Sequence, residues 1–298
     1  MADVGTPARG VALLAGTVAV VGCHQGAGAS KNPTQEYPIR GILVSIDPTG
    51  HSVTLNHEAV PGFMDAMTMS YKLEDPSVAS ELHPGDKITA TLAVDHDSVG
   101  PTNLRLRNIV IIAQARPDYK PTVQYHTPTP GESVPDFKLL NQSGRTIGLK
   151  GFQGKVVVMT FIYTRCPLAD YCPRMSRNFA EIDKQLAADP ALYAKTHLLS
   201  VSFDPTYDTP KVLRSYGEAY TGRYTQESFE HWDFAAPAQE ELTKMEQYFS
   251  VGVTPGESGT LQHSLSTVVL GKDGKVVAFY PTNDWTVAAV LKDIRGAA

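Results

Sequence analysis

Val156 to Tyr163, VVVMTFIY, is apolar at every position but Thr160, the pattern of a strand buried on both faces. Residues 131 to 298 alternate runs of this kind with stripes of helical period. His197–Phe203 (HLLSVSF) is a second buried strand, and Trp232–Ala235 a short one. Met175, Phe179, Ile182 and Leu186 line one face of a helix from Pro173 to Ala187, with proline in its first turn. Asp208-Thr209-Pro210 caps a helix that runs to about Tyr220. Pro237–Phe249 and Asp284–Ile294 are two more. Leu265–Leu270 and Lys275–Tyr280 pair as a hairpin across Lys272-Asp273-Gly274, and Val134 to Gly144 reads as an edge hairpin.

Upstream the period shortens to two. Ile39–Ile46, Ser52–His57, Met67–Leu73, Lys87–Val94 and Leu104–Ala113 are strand-like, with turns at Asp47-Pro48-Thr49-Gly50 and His83-Pro84-Gly85-Asp86. That spacing predicts a small β-barrel over residues 37–115. Residues 116–130 hold four prolines and no period, as a semi-stiff linker would; His126 within it reads as a solvated histidine. The chain is therefore multidomain: a small barrel, then a thioredoxin-like α/β domain over residues 131–298, expected because strands and helices alternate and a hairpin ends the sheet.

Charge and cysteine usage narrow the setting. A net charge of −5 over 298 residues excludes a basic nucleic-acid face. Val11 to Val21 is an apolar stretch of signal-peptide length, ending in Val20-Val21-Gly22-Cys23. This looks like a bacterial lipoprotein cleavage site, over residues 1–23, with Cys23 as the lipidated residue. A plain secretory signal and a soluble periplasmic protein is the alternative. Residues 24–36 would be a flexible tether, and the lipid the chain's one attachment to the periplasmic side of a membrane. Cys166 and Cys172 then remain as a pair in an oxidising compartment.

Three of the seven methionines, Met64, Met67 and Met69, fall within six residues. Met67 and Met69 share a strand face, and the Pro61-Gly62 bend brings them to the end of the strand that finishes at His57. One imidazole with two or three thioethers is a soft donor set suited to Cu(I); methionines filling an irregular core are the plainer reading. His57…Met64-Asp65-Ala66-Met67-Thr68-Met69 resembles the CusF-like periplasmic copper-binding domain, an OB-type barrel. The resemblance implies His57, Met67 and Met69 as copper ligands. It sets Met64 where the best-known member has a tryptophan over the metal.

Cys166 and Cys172 sit where the central strand gives way to a helix, at the edge where open α/β sheets place their sites. The helix N-terminus favours thiolate there. With His263 they would make a trigonal soft site for copper; a structural disulfide is the plainer reading of the pair. Thr160 to Pro167, Cys172-Pro173, Val201 to Pro205, Asp208-Thr209-Pro210 and His263 together resemble the Sco/SenC family of copper chaperones for cytochrome c oxidase assembly. The resemblance implies copper ligation by Cys166, Cys172 and His263, with Asp204 supporting the site from outside, and a respiratory oxidase copper subunit as acceptor. The family pattern is C-x3-C, whereas this chain has C-x5-C. The longer loop leaves open a thiol–disulfide oxidoreductase using Cys166 and Cys172, with a thiol reductant as partner.

Overall fold

A computed structural model describes residues 1, 2, 5, 34–120, 124–256 and 259–298. Nearly all of the export signal, Cys23 and most of the tether lie outside the described residues.

Five strands form a closed barrel: β1 (Gln35–Ile46), β2 (Ser52–His57), β3 (Met67–Leu73), β4 (Lys87–His96) and β5 (Pro101–Ala113), in the order β1-β2-β3-β5-β4. All neighbours are antiparallel except β3 and β5, which run parallel. The alternation read from the sequence sends Leu43, Val53, Leu55, Tyr71, Ile88, Leu92 and Leu106 inside, each fully buried. Gly62 turns the chain between β2 and β3 at φ +76°, where a side chain would be strained.

The second half is built on a seven-stranded sheet. Its strands are β6 (Lys138–Asn141), β7 (Thr146–Gly148), β8 (Val156–Ile162), β9 (Thr196–Ser202), β10 (Trp232–Pro237), β13 (Thr267–Leu270) and β14 (Val276–Tyr280), in the order β14-β13-β8-β9-β10-β6-β7. A separate hairpin, β11 (Val253–Pro255) with β12 (Leu261–His263), precedes β13. The helices are α1 (Cys172–Ala187), α2 (Pro190–Tyr193), α3 (Pro210–Thr221), α4 (Gln239–Tyr248) and α5 (Val287–Ala297). β8, β9 and β10 are parallel, and β13 and β6 flank them antiparallel. Both faces of β8 are covered, which is why its run carries no polar alternation. Thr160 bonds Thr267, which in turn reaches Met175 of α1, while Phe161 meets Phe249 on the other side.

One local expectation is corrected. Thr209 starts α3 without a side-chain cap, because the Asp208 carboxylate is turned inward to Thr164 and Ser202. His126 is exposed, as read, and is also paired: its Nε2 lies 2.6 Å from Glu132 Oε1, and its backbone N–H donates to Gln247 O, so the segment before β6 lies along α4.

Glu246, on α4 beside Tyr125, is withdrawn from water, and burial raises its carboxyl from the usual 4.5 to about 7. The folded chain holds this proton over a range where the unfolded chain has lost it. This contribution to stability is therefore full below about pH 4.5 and is lost as pH rises towards 7. Glu246→Gln is expected to raise stability at neutral pH and to flatten the profile across that window. Urea unfolding at several pH values checks it; parallel profiles for the two proteins would contradict it.

The barrel sits directly on the α/β domain. Inward-facing Met67, Met69, Tyr71 and Leu73 leave Thr68, Ser70 and Lys72 on the outer face of β3. Ser70 and Ser250 both lie within 3.5 Å of the Thr54 hydroxyl, and Lys72 pairs with Asp284. β3 packs against the β11–β12 hairpin, so the strand carrying two methionines lies beside the strand carrying His263.

Candidate metal centres

The central strand ends at Ile162, and the loop after it is locked by a buried carboxylate. Asp208 accepts the Thr164 N–H at 3.0 Å, the Thr164 hydroxyl, and the Ser202 hydroxyl at 2.5 Å. Tying the end of β8 to the end of β9 fixes where Cys166 begins. Burial raises the Asp208 carboxyl above its usual range, against the pull of these donors. Sequence reasoning singled out Asp204 instead. The structure places Asp204 against Arg165, 2.6 Å from its guanidinium, which also lies over the Tyr207 ring at 4.0 Å. Asp204 thus steadies the residue before Cys166 and makes no contact with either sulfur.

Cys172 is the first residue of α1 and fully buried, whereas Cys166 is partly exposed; both are free thiols. His263, at the end of β12, is 2% exposed and boxed by Tyr163, Tyr171 and Phe203, with ring centroids 5.4, 5.4 and 4.6 Å away. Its Nδ1 lies 2.9 Å from the Ser264 carbonyl, a contact that turns Nε2 toward the two sulfurs. That Nε2 is 3.5 Å from Cys172 Sγ and 3.8 Å from Cys166 Sγ. Among the described residues these three form the one group of His, Cys and acidic side chains placed to hold an ion, with donor atoms all within 4.8 Å of one another.

The thiols are unequal. The Cys166 thiol is held well below the usual range, first by a hydrogen bond from Cys172 and then by His263. Burial and the negative charge on Cys166 push Cys172 up. The Tyr163 N–H, 3.4 Å from Cys172 Sγ, is aimed at the buried sulfur. One thiolate thus stands ready and the second forms when a cation replaces its proton, which is how a soft metal enters such a pair.

In the barrel, His57 is directly opposite Met67 across the β2–β3 ladder, and Leu55 opposite Met69. Directly opposed residues bring Cβ atoms to about 5 Å and diagonal ones to about 7–8 Å, so both methionine side chains reach the imidazole end of the strand. His57 is 1% exposed. Its Nδ1 lies 2.7 Å from the Glu58 carbonyl, and its buried Nε2 has no hydrogen-bond partner. An orphaned buried nitrogen beside thioethers fits a soft cation. Burial lowers the His57 pKa, keeping the ring neutral and able to donate its lone pair. Met64 stands slightly apart on the turn, its sulfur accepting the Tyr71 hydroxyl at 3.5 Å. Tyr71 in turn meets His57 edge-on at 5.7 Å.

Two thiols and an imidazole at the edge of a thioredoxin-like sheet, fused to a barrel with an imidazole and thioethers at one end, define a two-domain protein for a soft metal. Copper is the metal that suits both donor sets. The chain belongs to the SCO1/SenC family, whose model matches residues 126–298, more than half its length. Residues 36–100 match the model of the copper binding periplasmic protein CusF. The mitochondrial protein SCO2 homolog of Bos taurus is 25% identical over 150 residues, 49% of this chain and 52% of the relative. The chain spans about half the length of the curated relatives it matches. A SCO1/SenC family lipoprotein from Bacillus anthracis str. Ames is 26% identical, with a TM-score of 0.49, covering 57% of this chain and 98% of that one. ScoI of Bradyrhizobium japonicum, solved with copper bound, is 22% identical, with a TM-score of 0.45, covering 56% of this chain and 100% of that one.

Proposed function

We propose that the chain is an exported copper chaperone, lipid-anchored through Cys23 on the periplasmic side of a bacterial membrane, which hands copper to the copper subunit of a respiratory oxidase. Cys166, Cys172 and His263 hold the ion to be delivered, and His57, Met67 and Met69, with Met64 beside them, hold a second Cu(I). The observation that carries this reading is the convergence of two sulfurs and one imidazole nitrogen within 4.8 Å, at the end of the sheet. Family membership supports oxidase assembly as the destination, and the apolar stretch before Cys23 supports export.

His263→Ala tests it. The sulfurs remain, so the variant still carries a dithiol, but a trigonal ion loses its third donor. Cu(I) affinity at this centre is expected to fall by more than the roughly 10- to 100-fold that loss of an outer-shell partner costs. Competition with a chromophoric Cu(I) chelator measures it. Undiminished affinity would sink the copper role of this histidine.

A second reading has its own support in the pairing of a partly exposed, acidified Cys166 with a buried Cys172. Cys166 thiolate would attack a partner's disulfide and form a mixed disulfide. Cys172 would then displace the partner's thiol, leaving the partner reduced and Cys166 bonded to Cys172. A thiol reductant would restore the pair. Under this reading His263→Ala shifts the reduction potential modestly, and copper is held by the barrel alone.

A further inference from the structure

A cavity of about 480 Å³ lies where the barrel meets the cysteine loop and β12. Met64 and Met67 line it from the barrel, Asp170 and Tyr171 from the cysteine loop, and Gln262, next to His263, from β12. Tyr171 lies edge-on to the His263 ring, and Tyr71 joins Met64 to His57 on the other side. The cavity thus carries two thioethers on its barrel side and, on the facing side, the Tyr171 ring that meets His263.

The two domains are seated with specific contacts around this cavity. Arg174, in the first turn of α1, grips Asp97 of the barrel with two bonds of 2.6 and 2.7 Å. The Asn283 amide nitrogen bridges Pro101 O of the barrel, at 3.1 Å, and Asp170 O of the cysteine loop, at 2.9 Å. Gln262 donates to Asp65 at 2.9 Å. Backbone meets backbone at Gly252, where an added Cβ would fall 2.3 Å from Thr68 O. Leu168 to Tyr171, the stretch that lengthens C-x5-C, supplies the Asp170 carbonyl and the Tyr171 wall. The enlarged loop is the barrel's seat.

We propose that the barrel is the thiolate centre's own copper donor: Cu(I) bound by His57, Met67 and Met69 crosses this cavity, past Met64 and Tyr171, to Cys166, Cys172 and His263 of the same chain. The inference rests on the copper reading above and adds the source of the ion. The step is a ligand exchange. Bonds from copper to two thioethers and one imidazole break, and bonds to two thiolates and another imidazole form. Copper stays Cu(I), and any thiol proton it displaces leaves to water. The direction follows from charge, since the barrel offers only neutral donors and the second centre offers anionic sulfur. Docking keeps donor and acceptor together, so the exchange needs no encounter between chains.

The test uses the full chain with Cys166 and Cys172 capped as mixed disulfides with methanethiol, so that only the barrel takes Cu(I). A phosphine then removes the caps. Protection of the two thiols from iodoacetamide, read by mass spectrometry, times the arrival of copper. Arrival is expected to be first order, with a half-time independent of protein concentration. Asn283→Ala removes the amide that ties Pro101 of the barrel to Asp170 of the cysteine loop, and Asp97→Arg reverses the grip of Arg174. Each should slow arrival by at least about tenfold, since misplacing reacting groups by around 1 Å can cost on the order of 100-fold. Each should leave the Cu(I) affinity of both centres unchanged. A half-time that shortens with protein concentration, or wild-type speed in both variants, would overturn the transfer while leaving the two copper centres standing. A capped chain that holds no Cu(I) would overturn both.

Discussion

Cys166→Ser combined with Cys172→Ser is expected to abolish tight Cu(I) binding at the α/β centre while leaving the barrel's ion in place. A serine hydroxyl stays protonated at neutral pH and is a hard donor, so the variant loses both the negative charge and the softness that hold Cu(I). The affinity should fall by roughly 10⁴-fold or more, about 5–6 kcal/mol. The fold should survive. Cys172 is buried, but the Tyr163 N–H that faces its sulfur can donate to a serine oxygen, so the structural cost is of the order of 1–2 kcal/mol. Chelator competition reads the affinity and urea unfolding the stability. Retained tight binding in this variant would mean that copper at this end of the chain is held by other side chains.

The second large effect is expected in the barrel. Met64→Leu with Met67→Leu and Met69→Leu keeps volume and apolarity, so each change should cost less than about 1.5 kcal/mol of stability. The same changes remove every thioether near His57, and one imidazole alone does not hold Cu(I) tightly. One equivalent of copper should be lost, with the thiolate centre unaffected. Met64→Leu alone should do less. Met67 faces His57 across the ladder, whereas the Met64 sulfur is already engaged by the Tyr71 hydroxyl. Methyl signals of the methionines in NMR, with and without Cu(I), separate the three. A triple variant that binds copper as tightly as the native barrel would return these methionines to the role of core filling.

Much of this arrangement is legible in the sequence. The five barrel strands follow from two-residue alternation. β8 follows from an apolar run broken only by Thr160, since a strand covered on both faces has no reason to alternate. The placement of Cys166 in a loop and Cys172 at a helix entry follows from Pro167 and Pro173. His263 is harder. Its short strand β12 has only three residues, too few for a period, and it pairs with an equally short β11. Asp208 was hidden because Asp-Thr-Pro before a helix reads as a cap. Its carboxylate goes instead to Thr164 and Ser202, contacts that no local pattern announces. The seating of the barrel was not legible at all. Asp97, Asn283 and Gly252 are scattered along the chain and ordinary in type. What matters is complementarity between two surfaces, which carries no signal along the sequence. Residues 116–130 look like a free linker on composition, yet residues from His126 onward lie along α4, because a proline-rich segment can still offer backbone donors and an aromatic ring to a neighbour.

The most direct measurement is a titration of the reduced full-length chain with Cu(I), repeated with Cys166 and Cys172 capped. Two equivalents should bind tightly to the reduced chain and one to the capped chain, the remaining ion perturbing the methyl signals of Met67 and Met69. A single equivalent that disappears on capping, with the methionine signals unmoved throughout, would contradict the two-centre account.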